Sequence, residues 1–175
     1  MDDLSRKLKI SKKTLYHCFG NKNELVKQTV HQHFEYIQVR LNEISLLPIS
    51  AVARMMQAAA FAVEELSKVN PSMIHDLHKY HPEVHADLIL MREQSIRKQM
   101  IENIQDGREH GYYRLDFNAE LISQLFAHQI IYITENWAQN NSQYAAEGVY
   151  QFAIYHLRGI ATESGFQELN LLQKS

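Results

Sequence analysis

The sequence predicts an all-α protein, and three observations predict it. Apolar residues recur at spacings of three and four along almost the whole chain, the period of a helix with one inward face. Only 6 Gly and 3 Pro occur in 175 residues, which is little material for the many turns of a sheet protein. Capping residues stand where the apolar stripes begin, and no credible pair of strands is found.

The elements follow in order. Met1, Leu4 and Leu8 mark a first short helix. Ser11 caps a second, with Leu15 and Phe19 one turn apart on its inner face. Asn21 caps a third, and Glu24 three residues on completes a capping-box-like pair. This third helix keeps apolar residues at Val26, Val30, Phe34, Ile37, Leu41 and Ile44, so it is expected to run as one rod. Pro48 breaks the pattern, and Val52, Met56, Ala59, Val63 and Leu66 trace a fresh stripe. Asn70-Pro71 starts a short helix to about Tyr80, with a capping side chain and then a proline at the first helical position. His81-Pro82 starts another, with Val84, Leu88, Met91 and Ile104 inward and Gly107 and Gly111 bracketing its end.

Residues 113–117 form a connector, and two helices over 118–139 and 143–163 are expected to close the chain. In the first of these, Leu121, Leu125, Phe126, Ile130, Tyr132, Ile133 and Trp137 spread over half the circumference, and Ile131 lies outside even that arc. One packed face needs a narrower stripe. The breadth predicts the domain core on one side and a second subunit on the other, against the plain alternative of burial in a larger core. The last helix, with Val149, Phe152, Ala153, Leu157, Ile160 and Ala161, reads the same way.

Composition narrows the class. Hydrophobic residues make up 45% and charged residues 22%, both ordinary for a soluble globular chain. No run approaches the ~18 apolar residues of a membrane span, and the N-terminus lacks the pattern of a signal peptide. Cys18 is alone, so no internal disulfide forms and a cytoplasmic location is expected. Charge is unevenly shared. Residues 1–30 carry seven Lys and Arg against three Asp and Glu, whereas the remainder carries eleven against seventeen. A basic head on an acidic body suggests that the head meets a polyanion, where the bland alternative is a solvated charged face.

The head holds the sharpest signal, KISKKTLYHCFGNKNEL over residues 9–25. A short helix, a tight Lys9-Ile10-Ser11 connection and a second helix have the layout of a helix-turn-helix, whose second helix enters the major groove of DNA. Leu15 and Phe19 would hold that helix to its neighbours, while Lys12, Lys13 and His17 project from the opposite side. Lysines supply charge for phosphates and donate to guanine edges. The hydroxyls of Thr14 and Tyr16 suit phosphate oxygens. Lys22 opens the next helix, where free N–H groups also favour a phosphate.

The run DDLSRKLKIS, KKTLYHCF, GNKNELV resembles the DNA-binding signature of the TetR-family (TetR/AcrR) transcriptional regulators, with Ser-x-x-Thr-Leu-Tyr-x-x-Phe at Ser11–Phe19 as its specific part. The resemblance covers about 30 residues; beyond them only architecture, the GREHGYYR turn and the FAIYHLRGIA segment agree. It implies a helix-turn-helix DNA-binding head joined by a long helix to a helical effector-binding and dimerisation bundle, with domains at 1–44 and 45–175. It also implies a homodimer through the last two helices and a ligand-responsive regulator, expected to be a repressor released by a small-molecule effector. Lys12, Lys13 and His17 become candidate base or groove contacts, and Thr14, Tyr16 and Lys22 candidate phosphate contacts. Family members normally carry a further helix before the segment that starts at Met1, so the head is expected to be incomplete at its N-terminus.

Other chemistry is thinly supported. One Cys, no Gly-rich phosphate loop and no Ser in a strand–helix turn argue against an enzyme or a cofactor. His75, His78, His81 and His85 lie within eleven residues, but they form no complete metal-ligand set, and a polar corner between helices is the plain reading. Met56, Phe61, Tyr80, Met91, Phe126 and His128 are candidates to line a largely apolar effector pocket, although such stripes are more often core. The alternative function is a dimeric helical ligand- or metal-binding protein that does not bind DNA.

Overall fold

A computed structural model describes residues 2–138 and 141–174; Met1, Gln139 and Asn140, which the periodicity assigned to a helix end or a loop, lie outside the described residues. Among these residues the chain forms nine α-helices and no strand. They are α1 (Asp2–Leu8), α2 (Lys12–Phe19), α3 (Lys22–Ser45), α4 (Ala51–Lys68), α5 (Pro71–Tyr80), α6 (Pro82–Glu109), α7 (Ala119–Tyr132), α8 (Ser142–Ile160) and α9 (Glu163–Leu172). A π-helical turn, Ile133–Trp137, extends α7.

Side-chain caps set most of the starts. Ser11, Asn21, Ser50, Asn70, Asn118, Asn141 and Thr162 each accept a backbone N–H from the first turn of the helix that follows. Each such cap stabilises its helix by about 1 kcal/mol. The stop of α1 is a left-handed residue, Lys9 at φ 54, with the N–H of Ile10 reaching back to the Ser5 carbonyl at 3.1 Å. That is a Schellman-type end with Lys where Gly is usual.

The body is two helix pairs. α4 packs along α8, and α6 packs along α7; α3 lies against α6 and α4, and α9 closes the end against α4 and α8. The interior between them holds Val52, Met55, Met56, Met100, Ile104 and Leu157, all buried. Fully burying a side chain such as Leu157 or Ile104 stabilises the fold by about 2 kcal/mol. A smaller apolar cluster, Leu66, Ile133, Ala145 and Val149 among others, sits at the other end, where Trp137 packs over Gly148.

The connector after α6 has a packing reason. Tyr113 is fully buried, with its hydroxyl donating to Asn103 Oδ1 at 2.9 Å, and Asn103 Nδ2 donates in turn to the Ala51 carbonyl at 2.9 Å. Its ring lies so close to Gly107 that a Cβ there would stand 2.1 Å from it. The segment then pairs with the end of α8, Arg114 N–H to the Ile160 carbonyl at 2.9 Å and Thr162 N–H to the Tyr112 carbonyl at 2.9 Å.

Two expectations need correction. The chain does not close with two helices, because α8 stops at Ile160 and Thr162 caps a further helix, α9. The helix expected over 118–139 is α-helical only to Tyr132 and then widens into the π-helical turn.

Candidate nucleic-acid interface and ligand-binding interior

The head places its basic side chains outward. Leu15 is 1% exposed, while Lys12, Lys13, Thr14, Tyr16, His17 and Cys18 all face solvent and Phe19 is half-buried. α2 thus turns its apolar line onto α1 and α3 and leaves a cationic, hydroxyl-bearing face open. The Ser11 hydroxyl accepts the Thr14 N–H at 3.0 Å and also pairs with the Thr14 hydroxyl at 2.8 Å, which fixes the angle at which α2 leaves the turn. Gly20 ends α2 at φ 58, a left-handed position, with its N–H on the Tyr16 carbonyl at 3.0 Å. Lys22 is exposed in the first turn of α3, next to the Asn21 cap.

Besides Thr14, which pairs with Ser11, Lys12 is already engaged. Lys12 Nζ lies 2.8 Å from Asp2 Oδ2 across the α1–α2 corner. That hydrogen bond holds the Asp2 carboxyl below its usual range and raises the Lys12 ammonium.

The head reaches the body through α3, a rod of 24 residues, or roughly 36 Å at 1.5 Å per residue. Its apolar stripe is only half-buried, and no residue of α3 is fully buried. Polar groups line much of its seam with α6. Asn23 Oδ1 meets His81 Nδ1 at 2.5 Å, Lys27 faces Asp87 at 4.0 Å, and Gln38 accepts from Ser95 and from Gln99. Such a seam shifts more cheaply than interlocked apolar side chains.

The first half of α6 is also tied to the π-helical turn. Arg92 Nη1 donates to Glu135 Oε1 at 2.6 Å, His85 Nε2 lies 2.8 Å from Glu135 Oε2, and Arg92 Nη2 meets the Thr134 hydroxyl at 2.5 Å. Sequence reasoning missed Arg92, Thr134 and Glu135, because no local pattern brings residues more than forty apart together. The histidines expected as a possible cluster disperse. His85 faces Glu135, His81 faces Asn23, and His78 stacks edgewise on His85 with ring centres 5.1 Å apart. Among the described residues no group of three or more His, Cys, Asp or Glu could hold a metal ion.

The expected pocket residues divide. Met56 and Phe126 are buried in the main core, and Phe61 and Met91 are half-buried. Tyr80 is 61% exposed at the end of α5, a helix with no buried residue. His128 stands on the outer line of α7 with Nε2 2.9 Å from Glu93 Oε1. Neither side chain lies in the buried interior. Between α7 and α8 the interior is instead aromatic. Phe126 stacks on Phe152 with centres 5.4 Å apart, and the His156 ring sits 4.6 Å from Phe126. Burial pushes His156 down to about 4, so it is neutral at pH 7.

On the outside of the same helices, Leu121, Leu125 and Tyr132 fall on one line of α7 and stay exposed, as do Tyr144 and Tyr155 on α8. The apolar breadth of α7 therefore serves two faces, an inner one of Phe126 and Ala127 and this outer one.

The described residues thus form a helix-turn-helix layout on a long helix, carried by an otherwise all-helical body. The chain is similar to the HTH-type transcriptional repressor KstR2 of Mycolicibacterium smegmatis (strain ATCC 700084 / mc(2)155), 21% identical over 162 residues that cover 87% of this chain and 76% of the relative. Its fold matches the ketosteroid transcriptional regulator KstR2 of Mycobacterium tuberculosis with a TM-score of 0.61 at 19% identity, over 92% of this chain and 84% of that one. No protein-family model matches the chain. The structural match shows that the chain shares the fold of that regulator. No helix among the described residues is long and apolar enough to cross a membrane.

Proposed function

We propose that the chain is a DNA-binding transcriptional repressor that works as a homodimer and is released by a small, largely apolar effector. The observation that carries this reading is the division of α2: Leu15 buried on one side, and Lys12, Lys13, Thr14, Tyr16 and His17 presented on the other. In this reading residues 1–44 are the DNA-binding head with its connecting helix, and residues 45–175 the effector and dimerisation body. Lys12, Lys13 and His17 read the groove; Thr14, Tyr16 and Lys22 hold phosphates.

Two heads must present α2 to half-sites one helical turn apart or a small multiple of it. The exposed line Leu121, Leu125 and Tyr132, with Tyr144 and Tyr155, offers the dimer face. An effector seated in the Met- and Phe-rich interior moves α6, and the polar α3–α6 seam passes that shift to the heads. The effector must prefer the released arrangement for the population to move. The ketosteroid regulator with the same fold makes a rigid apolar molecule of steroid size the first effector class to try.

Titration onto promoter DNA at several salt concentrations tests the head. Lys22→Ala is expected to weaken binding on every sequence and to flatten the salt slope by about one unit. An unchanged slope removes Lys22 from the phosphate contacts. Leu125→Glu tests the dimer face. It is expected to convert the dimer to monomer in light scattering while helix content stays constant, and an intact dimer would place the interface elsewhere.

A further inference from the structure

Among the described residues three buried side-chain atoms have no hydrogen-bond partner, His31 Nε2 on α3, Ser123 Oγ on α7 and His156 Nε2 on α8, and the last two lie on neighbouring helices of the body. Ser123 is 0% exposed and His156 8% exposed. An orphaned buried group costs stability, so each needs a reason. Their placement supplies one. Ser123 and Phe126 are three residues apart and share a face of α7. The His156 ring lies against that same Phe126 from the other helix. His156 thus packs on the Phe126 ring and Ser123 lies on the face of α7 that carries Phe126, where α7 and α8 meet mainly through rings rather than through close backbone packing. Met55, Met56 and Met100 belong to the same buried cluster, and Met side chains re-pack around an inserted molecule at small cost.

We propose that Ser123 Oγ and His156 Nε2 are the polar anchors of a ligand site between α7 and α8, built for an uncharged, apolar molecule that carries a carbonyl or hydroxyl group. This rests on the effector reading above and names the chemistry of that effector. A serine hydroxyl donates to a carbonyl oxygen, and it both donates to and accepts from an alcohol. A neutral imidazole nitrogen does one or the other according to its tautomer. Charge is excluded by the neighbourhood. The part-buried cations Arg54 and Arg92 are already paired, with Asp106 and Glu135, so neither is left to balance a carboxylate in the apolar layer. The burial that keeps His156 neutral points the same way.

The test uses the whole protein and three probes: a steroid with a single ketone, the alcohol made from it by reduction, and the parent hydrocarbon. Binding is read by calorimetry on the wild type, on Ser123→Ala and on His156→Phe. The wild type is expected to bind the ketone and the alcohol about tenfold or more tightly than the hydrocarbon, and each variant to lose most of that preference while binding the hydrocarbon unchanged. Ser123→Ala removes an unpartnered oxygen, so its melting temperature is expected to hold or rise, and promoter affinity without a probe to stay the same in both variants. A preference that survives both substitutions overturns the anchors, as does a clear drop in melting temperature for Ser123→Ala, which would mean the hydroxyl serves the fold. Equal binding of all three probes by the wild type also overturns the anchors but leaves the effector reading standing. That reading fails separately if neither the probes nor a small-molecule cell extract changes the hold on promoter DNA.

Discussion

The head and the body are held together by different means. In the body, residues distant in sequence interlock: Tyr113 over Gly107, Trp137 over Gly148, and a shared buried cluster drawn from α4, α6, α7, α8 and α9. In the head, Leu15 and Ser5 are the buried residues of α1 and α2, and most of the order is local. Ser11 caps, Gly20 and Lys9 turn, and Asn21 caps again, all within a few residues. Local hydrogen bonds define a conformation, but apolar burial supplies most of the free energy that holds it. The head is therefore the part with the smaller opening free energy, and a DNA-reading element gains from that freedom when it must adapt to a groove.

The same substitution in the two regions breaks the comparison most sharply. Leu157→Ala, in the body, is expected to cost about 3–5 kcal/mol and to lower the single melting transition of the whole chain. Leu15→Ala, equally buried, is expected to leave that transition nearly in place and to abolish DNA binding, because it melts only α1 and α2. Hydrogen exchange confined to residues 2–20 in the second variant supports the division. A matching fall in the global melting temperature for both would show that head and body unfold as one.

Acid sharpens it next. Burial holds His156 at about 4 against an ordinary 6.5. Between those values the unfolded chain takes up a proton that the folded chain refuses, so stability falls as pH falls through that window. The full contribution is present above about pH 6.5, and about 3 kcal/mol is lost by pH 4, where the slope ends. Urea midpoints across the window should show this fall for the wild type and a shallower one for His156→Phe. An identical pH dependence in the two would assign acid sensitivity to other groups.

What was legible in the sequence follows the same division. The head could be read because its determinants are adjacent: Ser11 with Thr14, Leu15 with Phe19, Asn21 with Glu24. Helix starts at Asn70 and Asn118 were legible for the same reason. Interior contacts were not. Tyr80 and Phe126 look equally suitable for a pocket, and only the packing shows that α5 lies on the surface while α7 faces inward. His128 shares its line of α7 with Leu121, Leu125 and Tyr132, and that line is the exposed one. The unpartnered states of Ser123 and His156 depend on what α6 and α8 bring near them, and no spacing encodes that. α9 had a signal, Thr162 followed by Phe166 and Leu169, which merged with the stripe of α8 until Ala161 proved extended.

The smallest expected effect lies at the corner of α1 and α2. A base edge or a phosphate competes with Asp2 for Lys12, and the two charges are more than half exposed. Exchange of one exposed partner for another is nearly balanced, since water and salt screen both. Asp2→Asn removes the competing carboxylate, retains a polar side chain in the first turn of α1, and frees Lys12 for the duplex. Promoter affinity should rise about twofold to fivefold at low salt, with the gain fading as salt is raised. The double variant with Lys12→Ala should show no gain over Lys12→Ala alone. If Asp2→Asn instead weakens binding, the ion pair holds α2 at its docking angle, and Lys12 acts by orienting the recognition helix rather than by touching DNA.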